Sequence, residues 1–374
     1  MSRTAWRPGA DPGRRLFASL FDEQPLALEL GATLRPVTVA YETWGTPSPA
    51  RDNAVLVLHA LSGDSHAVGS AGPGHPTAGW WDGIIGPGAP VDTERWFVVC
   101  PNVLGGCQGT TGPSSTAPDG RPFGSRFPEL TVRDQVAAEV ALADHLGIQR
   151  WAAVIGGSMG GMRALEWATG YPRRVSRLVA IACGATSSAE QIALCATQAI
   201  AIRSDPAFAG GDYYDGPGPV TGLGLARRIG HISYRCESEL ATRFERHAQA
   251  GEDPLGPHGG RYSVEGYLDH HADKLARRFD ANSYLVLSRA MDHHDVGRGR
   301  GGVEAALAAV TASSTIVLMD SDRLYPPYQQ MELARLLPGD PEPDLHIVSS
   351  PCGHDGFLIA IEQVGKAIAD ALSR

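Results

Sequence analysis

The stretch Trp151-Ala152-Ala153-Val154-Ile155-Gly156-Gly157-Ser158-Met159-Gly160-Gly161-Met162-Arg163-Ala164-Leu165-Glu166-Trp167 decides the fold. It opens on a short apolar run, Ala152 to Ile155, of the length of a buried strand. It closes on Ala164 to Trp167, which reads as helix. Between them a serine stands at the apex of Gly156-Gly157-Ser158-Met159-Gly160, the G-x-S-x-G pattern of a nucleophile elbow. Such a turn is tight enough to strain the serine, so neighbours without Cβ let the backbone pass close by. It lifts the hydroxyl clear of the sheet and sets it at a helix N-terminus, where the dipole and free N–H groups favour a developing negative charge. No lysine follows the last glycine, so this is no Walker loop, and the spacing is not that of a dinucleotide fingerprint.

Outward from this stretch the chain alternates strands with helices. Pro36 to Trp44 is β-branched and alternating. Asn53 to His59, Arg95 to Pro101 and Leu178 to Ala182 are continuous apolar runs, the mark of strands buried on both faces. Thr131 to Leu146 carries the helical period, with Thr131 as its cap. This predicts an α/β fold, a mostly parallel sheet flanked by helices. From about Thr186 the texture changes. Helical patterns cover Ala189 to Arg203, Gly224 to Tyr234, Ser238 to Gln249, Val264 to Phe279 and Asn282 to Met291, with hardly a strand signal. The sheet resumes at Thr315 to Met319 and Leu345 to Val348, and Phe357 to Leu372 closes the chain as a helix. The domains expected are a core over 1–186, a helical insertion over 187–300 and the rest of the core over 301–374.

A serine elbow in an α/β-hydrolase fold needs an acid and then a histidine, each on the loop after a late strand. Asp322 follows the Thr315–Met319 strand, and His354 follows the Leu345–Val348 strand. Both stand where the topology requires a Ser158–His354–Asp322 triad. Asp320 and Asp355 compete for the acid role; Asp320 sits too close to its strand and Asp355 is the neighbour of the histidine. In that triad His354 takes the serine proton, and Asp322 fixes the tautomer and stabilises the imidazolium. The oxyanion needs two backbone N–H groups. Met159, after the nucleophile, supplies one, and Leu61 in the loop after an early strand is the expected second.

The 374 residues are 43% hydrophobic and 20% charged, a globular composition long enough for a large core. A net charge of −9 without any Lys/Arg run argues against nucleic acid. No apolar stretch reaches the ~18 residues of a membrane span. The basic N-terminal arm lacks the apolar run of a secretory signal, so the expected compartment is the cytoplasm. Six scattered cysteines without a C-x-x-C pair read as reduced thiols. No metal site is expected. Asp292-His293-His294-Asp295 and His270-His271 cannot easily face one ion, being adjacent. Trp80-Trp81 and Tyr213-Tyr214 read as packing or lid aromatics. Arg298-Gly299-Arg300 reads as a loop held to nearby acids or as a contact for a ligand's phosphates.

The segments HALSGDSHA (59–67), GWWDGIIGPG (79–88), PNVLGGCQGTTGPSS (101–115), GGSMGGMRALEWA (156–168), DYY (212–214), GLGLARRIGHISYR (222–235), HDVGRGRGG (294–302), SDRLYPP (321–327) and GHDGFL (353–358) together resemble the homoserine O-acetyltransferases. These are α/β-hydrolase-fold acyltransferases of methionine biosynthesis. The resemblance runs from about residue 30 to the end. It implies ping-pong transfer from acetyl-CoA, the co-substrate, to L-homoserine through acetyl-Ser158, with no bound cofactor. By similarity Arg227 contacts homoserine, and a guanidinium suits the α-carboxylate. Asp355 matches a second substrate contact, on the α-ammonium. The resemblance also implies a homodimer built through the helical insertion. Ser62 stands where many relatives carry threonine. A hydrolase with the same triad, or a transferase using succinyl-CoA or serine, are the alternatives on this scaffold.

Overall fold

A computed structural model describes residues 6, 9–339 and 344–374. Its centre is an eight-stranded sheet: β1 (Leu16–Leu20), β2 (Val37–Trp44), β3 (Ala54–Leu58), β4 (Phe97–Pro101), β5 (Ala153–Gly157), β6 (Arg177–Ile181), β7 (Ser313–Met319) and β8 (Asp344–Val348). The spatial order is β1-β2-β4-β3-β5-β6-β7-β8. β1 and β2 are antiparallel to their neighbours, and every pairing from β4 to β8 is parallel.

Two apolar layers sandwich this sheet, and the pleat assigns alternate residues to each. In β3, Leu56 and Leu58 point into a cluster with Val136 and Leu142 of α1 (Val132–His145) and Leu165 and Trp167 of α2 (Met159–Gly170). Val55 and Val57 point the other way, toward Trp81, Ile84 and the closing helix. This explains the unbroken apolar runs: a strand covered on both faces has no polar side. Thr131 caps α1 by a reciprocal capping box with Asp134.

Between β6 and β7 run the helices α3 (Ala189–Arg203), α4 (Val220–Tyr234), α5 (Glu237–Phe244), α6 (Ser263–Ala276), α7 (Ala281–Asp292) and α8 (Val303–Ala308). Ile202, Leu223, Phe279 and Tyr284 of this region share a buried cluster with Leu61, Val103 and Met159 of the core, so this helical layer is seated on the loops beside Ser158. After β7 come α9 (Pro327–Leu336), β8, α10 (Gly356–Ile359) and α11 (Ile361–Ser373).

Three expectations need correction. The helix expected over Ser238 to Gln249 ends at Phe244, because Glu245 turns to φ 46° and Ala248 then bridges Tyr262. The closing helix expected over Phe357 to Leu372 is two helices broken at Ala360. The Trp81 indole N–H donates to the Phe357 carbonyl, the acceptor that Ile361 would need to continue the helix. The helix expected from Gly224 begins earlier, at Val220.

Candidate active site

β5 delivers Ser158 into a backbone conformation, φ 56° and ψ −123°, that a residue with a Cβ rarely adopts. The turn around it is pressed onto the neighbouring strand. A Cβ on Gly160 would lie 2.0 Å from the Leu58 carbonyl oxygen, so only glycine lets α2 start there. Ser158 N–H donates to Ile181 O, tying the apex to β6.

The loops after β7 and β8 complete a hydrogen-bonded chain. His354 Nε2 lies 2.8 Å from Ser158 Oγ, and His354 Nδ1 lies 2.7 Å from Asp322 Oδ2. The other carboxylate oxygen of Asp322 accepts the backbone N–H groups of Leu324 and Tyr325, at 2.8 and 2.9 Å. An acid held this way cannot rotate away from the imidazole. All three side chains are buried. Burial works to lower the pKa of His354, but the charge and hydrogen bond of Asp322, with Asp355 adding to them, leave it above the ordinary imidazole value. The rival acid Asp320 is turned aside, accepting from Ser350 N–H at 3.1 Å.

Ser158 and His354 open onto a cavity of about 80 Å³ that Ala60, Leu61, Ser62, Arg227, Tyr234, Tyr325 and Asp355 also line. Leu61 thus lies beside the nucleophile. Met159 is the first residue of α2, where an amide has no partner in the preceding turn. Arg227 reaches Ser62 Oγ at 3.4 Å and lies 5.4 Å from the centre of the Tyr234 ring. Its Nε is buried without a partner among the described residues. Asp355 pairs with Arg235 at 3.2 Å. Burial pushes its carboxyl above the usual range, against the pull of Arg235, Arg227 and His354. One small cavity therefore presents a serine hydroxyl hydrogen-bonded to an imidazole, a guanidinium and a carboxylate. A second cavity of about 30 Å³ shares Leu61, Tyr234, Met291, Leu324 and Tyr325 with it and extends toward Gln191, Cys195 and Gln198 of α3.

Sequence reasoning did not single out Tyr234, Tyr325 or Arg235. All three stand inside the segments that carry the family resemblance, and only their three-dimensional placement gives them work. It also missed the His/carboxylate cluster of Glu42, His66 and His75, brought together from three separate stretches. That cluster is no metal cage. The two imidazoles stack at 3.8 Å with planes 12° apart, so their in-plane lone pairs lie in two separate, nearly parallel planes and cannot both point at one ion. His66 Nδ1 is hydrogen-bonded to Glu42 at 2.9 Å, and His75 Nε2 accepts the Arg14 N–H at 2.9 Å.

The other sequence candidates are placed by ordinary packing. His294 Nε2 meets the Gly184 carbonyl at 3.1 Å, while Asp295 accepts from Gly297 N–H, so the 292–295 run does not converge. The His270 and His271 rings are 87° apart. Arg298 pairs with Glu29 and Arg300 with Glu166, both at 2.8 Å. Tyr213 and Tyr214 both donate to the buried Asp280 carboxylate. The six cysteines are free. No helix among the described residues is long and apolar enough to cross a membrane.

A family model for the alpha/beta hydrolase fold matches residues 53–360. A homoserine O-acetyltransferase of Thermobifida fusca is 61% identical over 372 residues, 99% of this chain and 97% of the relative. Among solved structures, a homoserine O-acetyltransferase from Bacillus anthracis is 30% identical with a TM-score of 0.87, covering 96% of this chain and 97% of that one. Esterase E22 is 29% identical with a TM-score of 0.86, covering 96% and 99%. Fold and overall shape are thus common to transferases and esterases.

Proposed function

The chain belongs to the homoserine O-acetyltransferase family of α/β-hydrolase-fold enzymes, and on that premise we propose that it carries an acetyl group from acetyl-CoA to L-homoserine through acetyl-Ser158. The product is O-acetyl-L-homoserine, and the reaction belongs to methionine biosynthesis. In the first half-reaction His354 takes the Ser158 proton as Oγ attacks the thioester carbonyl. The leaving CoA thiolate takes that proton from the imidazolium, which Asp322 has stabilised. The N–H groups of Leu61 and Met159 receive the oxyanion. In the second half-reaction His354 deprotonates the homoserine hydroxyl, which attacks the acetyl-serine, and the proton returns to Ser158. No cofactor is bound.

The observation that carries the reading is the opposite charge of Arg227 and Asp355 in the cavity that holds Ser158 and His354. An esterase needs the triad and oxyanion donors but no such pair. A guanidinium for the α-carboxylate and a carboxylate for the α-ammonium read an amino acid, and they leave its side-chain hydroxyl to face the serine. Residues 187–300 act as a lid over this cavity, between core segments 1–186 and 301–374. The protein works in the cytoplasm as a homodimer. The lid helices α3 and α4 support the dimer by exposing Ile192, Ile200, Val220, Leu225 and Ile232, of which Ile200 and Leu225 line a depression of about 560 Å³.

CoA release followed with a thiol reagent tests the reading, with acetyl-CoA and succinyl-CoA as donors and L-homoserine, L-serine or no acceptor. Release from acetyl-CoA should depend on homoserine; steady turnover without acceptor would make the protein a thioesterase. Arg227→Ala should raise the homoserine KM by about 10- to 100-fold, the worth of a charge-assisted hydrogen bond, and spare the first CoA released. An unchanged KM would remove the carboxylate assignment.

A further inference from the structure

We infer that His59, which touches neither substrate nor nucleophile, is the positioning residue that aims and polarises the Leu61 N–H of the oxyanion hole. The inference rests on the reading of Leu61 as an oxyanion donor.

The peptide that carries the Leu61 N–H also carries the Ala60 carbonyl. His59 Nδ1 lies 2.8 Å from the Ala60 oxygen, and His59 Nε2 lies 3.0 Å from the Val103 nitrogen. These two partners fix the tautomer. A carbonyl oxygen only accepts, so Nδ1 carries the hydrogen; a backbone N–H only donates, so Nε2 is bare. The ring is 1% exposed, and burial, with Arg163 adding to it, drives its pKa far below the ordinary value. It stays neutral, and the two bonds persist, throughout the working pH range.

The Ala60 oxygen accepts a second hydrogen bond, from Gly63 N–H at 2.9 Å. In a trans peptide the C=O and N–H point in opposite directions. Two donors holding the oxygen on one side therefore commit the Leu61 N–H to the other. Among the described residues that N–H has no protein acceptor. Hydrogen bonds to a carbonyl also strengthen the donor at the far end of the same peptide, since such chains polarise one another. The effect is largest in a buried site such as this.

The surroundings hold the ring in place. A Cβ on Gly63 would lie 2.9 Å from His59 Cβ and 3.3 Å from the Ala60 oxygen, so the turn closes over the imidazole only with glycine there. From below, Arg163 Nη2 donates to the His59 carbonyl, and Arg163 is itself paired with buried Glu139 at 2.6 Å. From the lid side, Arg278 Nη2 donates to the Ser62 carbonyl. The stretch His59 to Ser62 that offers the oxyanion donor is thus gripped at three of its carbonyls, those of His59, Ala60 and Ser62.

Two substitutions separate aiming from mere support. His59→Asn puts an N–H₂ donor near the place of Nδ1 and loses the bond to Val103. His59→Gln puts an acceptor near the place of Nε2 and loses the donor to Ala60. Rapid-mixing CoA release reports the acylation rate, steady state gives the homoserine KM, and melting gives stability. His59→Gln should acylate about 10- to 100-fold more slowly with homoserine KM unchanged, a part of the ~10²–10³ lost with a whole oxyanion donor. His59→Asn should keep acylation within about 5-fold of the parent, even though it melts lower. Equal rate losses in the two variants, or rates that follow Tm, overturn the inference. Should either variant fail to fold, Gly63→Ala leaves His59 present but displaces its ring from the Ala60 oxygen. It should slow acylation without moving KM, and an unslowed Gly63→Ala enzyme sinks the idea. If the unaltered protein forms no acetyl-enzyme, the transferase reading fails; if it acylates and His59→Gln matches it, only the role of His59 fails.

Discussion

Replacing Asp322 by asparagine is a change of one atom, and the structure dictates what that atom does. One carboxylate oxygen of Asp322 accepts from the Leu324 and Tyr325 amides, and the other faces His354 Nδ1. An asparagine here must keep its oxygen toward the two backbone N–H groups, because an NH₂ would meet two donors. Its NH₂ then faces Nδ1. The imidazole can accept from it only by moving its hydrogen to Nε2, the nitrogen that must take the Ser158 proton. The base is held in the wrong tautomer rather than removed. In serine-protease triads this change costs about 10⁴-fold, and ~10⁴ corresponds to about 5.4 kcal/mol of barrier. The Leu324 and Tyr325 clamp leaves Asp322→Asn no alternative rotamer, so the full loss is expected here. The assay is first-turnover CoA release from acetyl-CoA, beside a melting curve that should move little because the side chains are isosteric. Acylation within about tenfold of the parent would refute the tautomer argument.

Two further outcomes follow from other parts of the molecule. His294 is buried and neutral, its pKa held down at about 4 by desolvation. The unfolded chain binds that proton more readily, so stability falls as pH drops from about 6.5 toward 4, by about 3 kcal/mol from this group by pH 4, and levels off below; His294→Asn should flatten denaturant midpoints measured across that range, and an unaltered slope would discount the group. On the outer face of the lid, Ile200 is 65% exposed and Leu225 45% exposed. The double change Ile200→Asp and Leu225→Asp should convert a dimer to a monomer in light scattering without lowering Tm by more than a few degrees, and a dimer that persists would place the interface elsewhere.

The decisive stretch could be read early because its signals are local. The elbow declares itself in five residues, Gly156 to Gly160, and strands covered on both faces show as apolar runs, as β3 and β4 do. The order of Ser158, Asp322 and His354 follows from strand succession alone. What escaped the sequence is tertiary. The break at Ala360 exists because an indole from residue 81 takes a carbonyl near the other end of the chain. The end of α5 at Phe244 depends on Glu245 adopting a left-handed backbone, which a glutamate does not announce. The imidazole pair at Glu42 and the hold of His59 on Ala60 are likewise invisible as patterns. A histidine before an alanine has no periodicity, and its partner at Val103 lies 44 positions away.

The long helical excursion between β6 and β7 has a consequence for how the molecule comes into being. β6 ends at Ile181, and its parallel partner β7 begins at Ser313. The sheet cannot extend past β6 until all the intervening helices have been synthesised. Pairings across such sequence separations are slow to form. Ser158 and its glycine turn are therefore in place long before their acid and base, which arrive on the last two strands. The hydrogen-bonded chain of Ser158, His354 and Asp322 closes only when β8 docks and brings His354 home, so the proposed site is completed last.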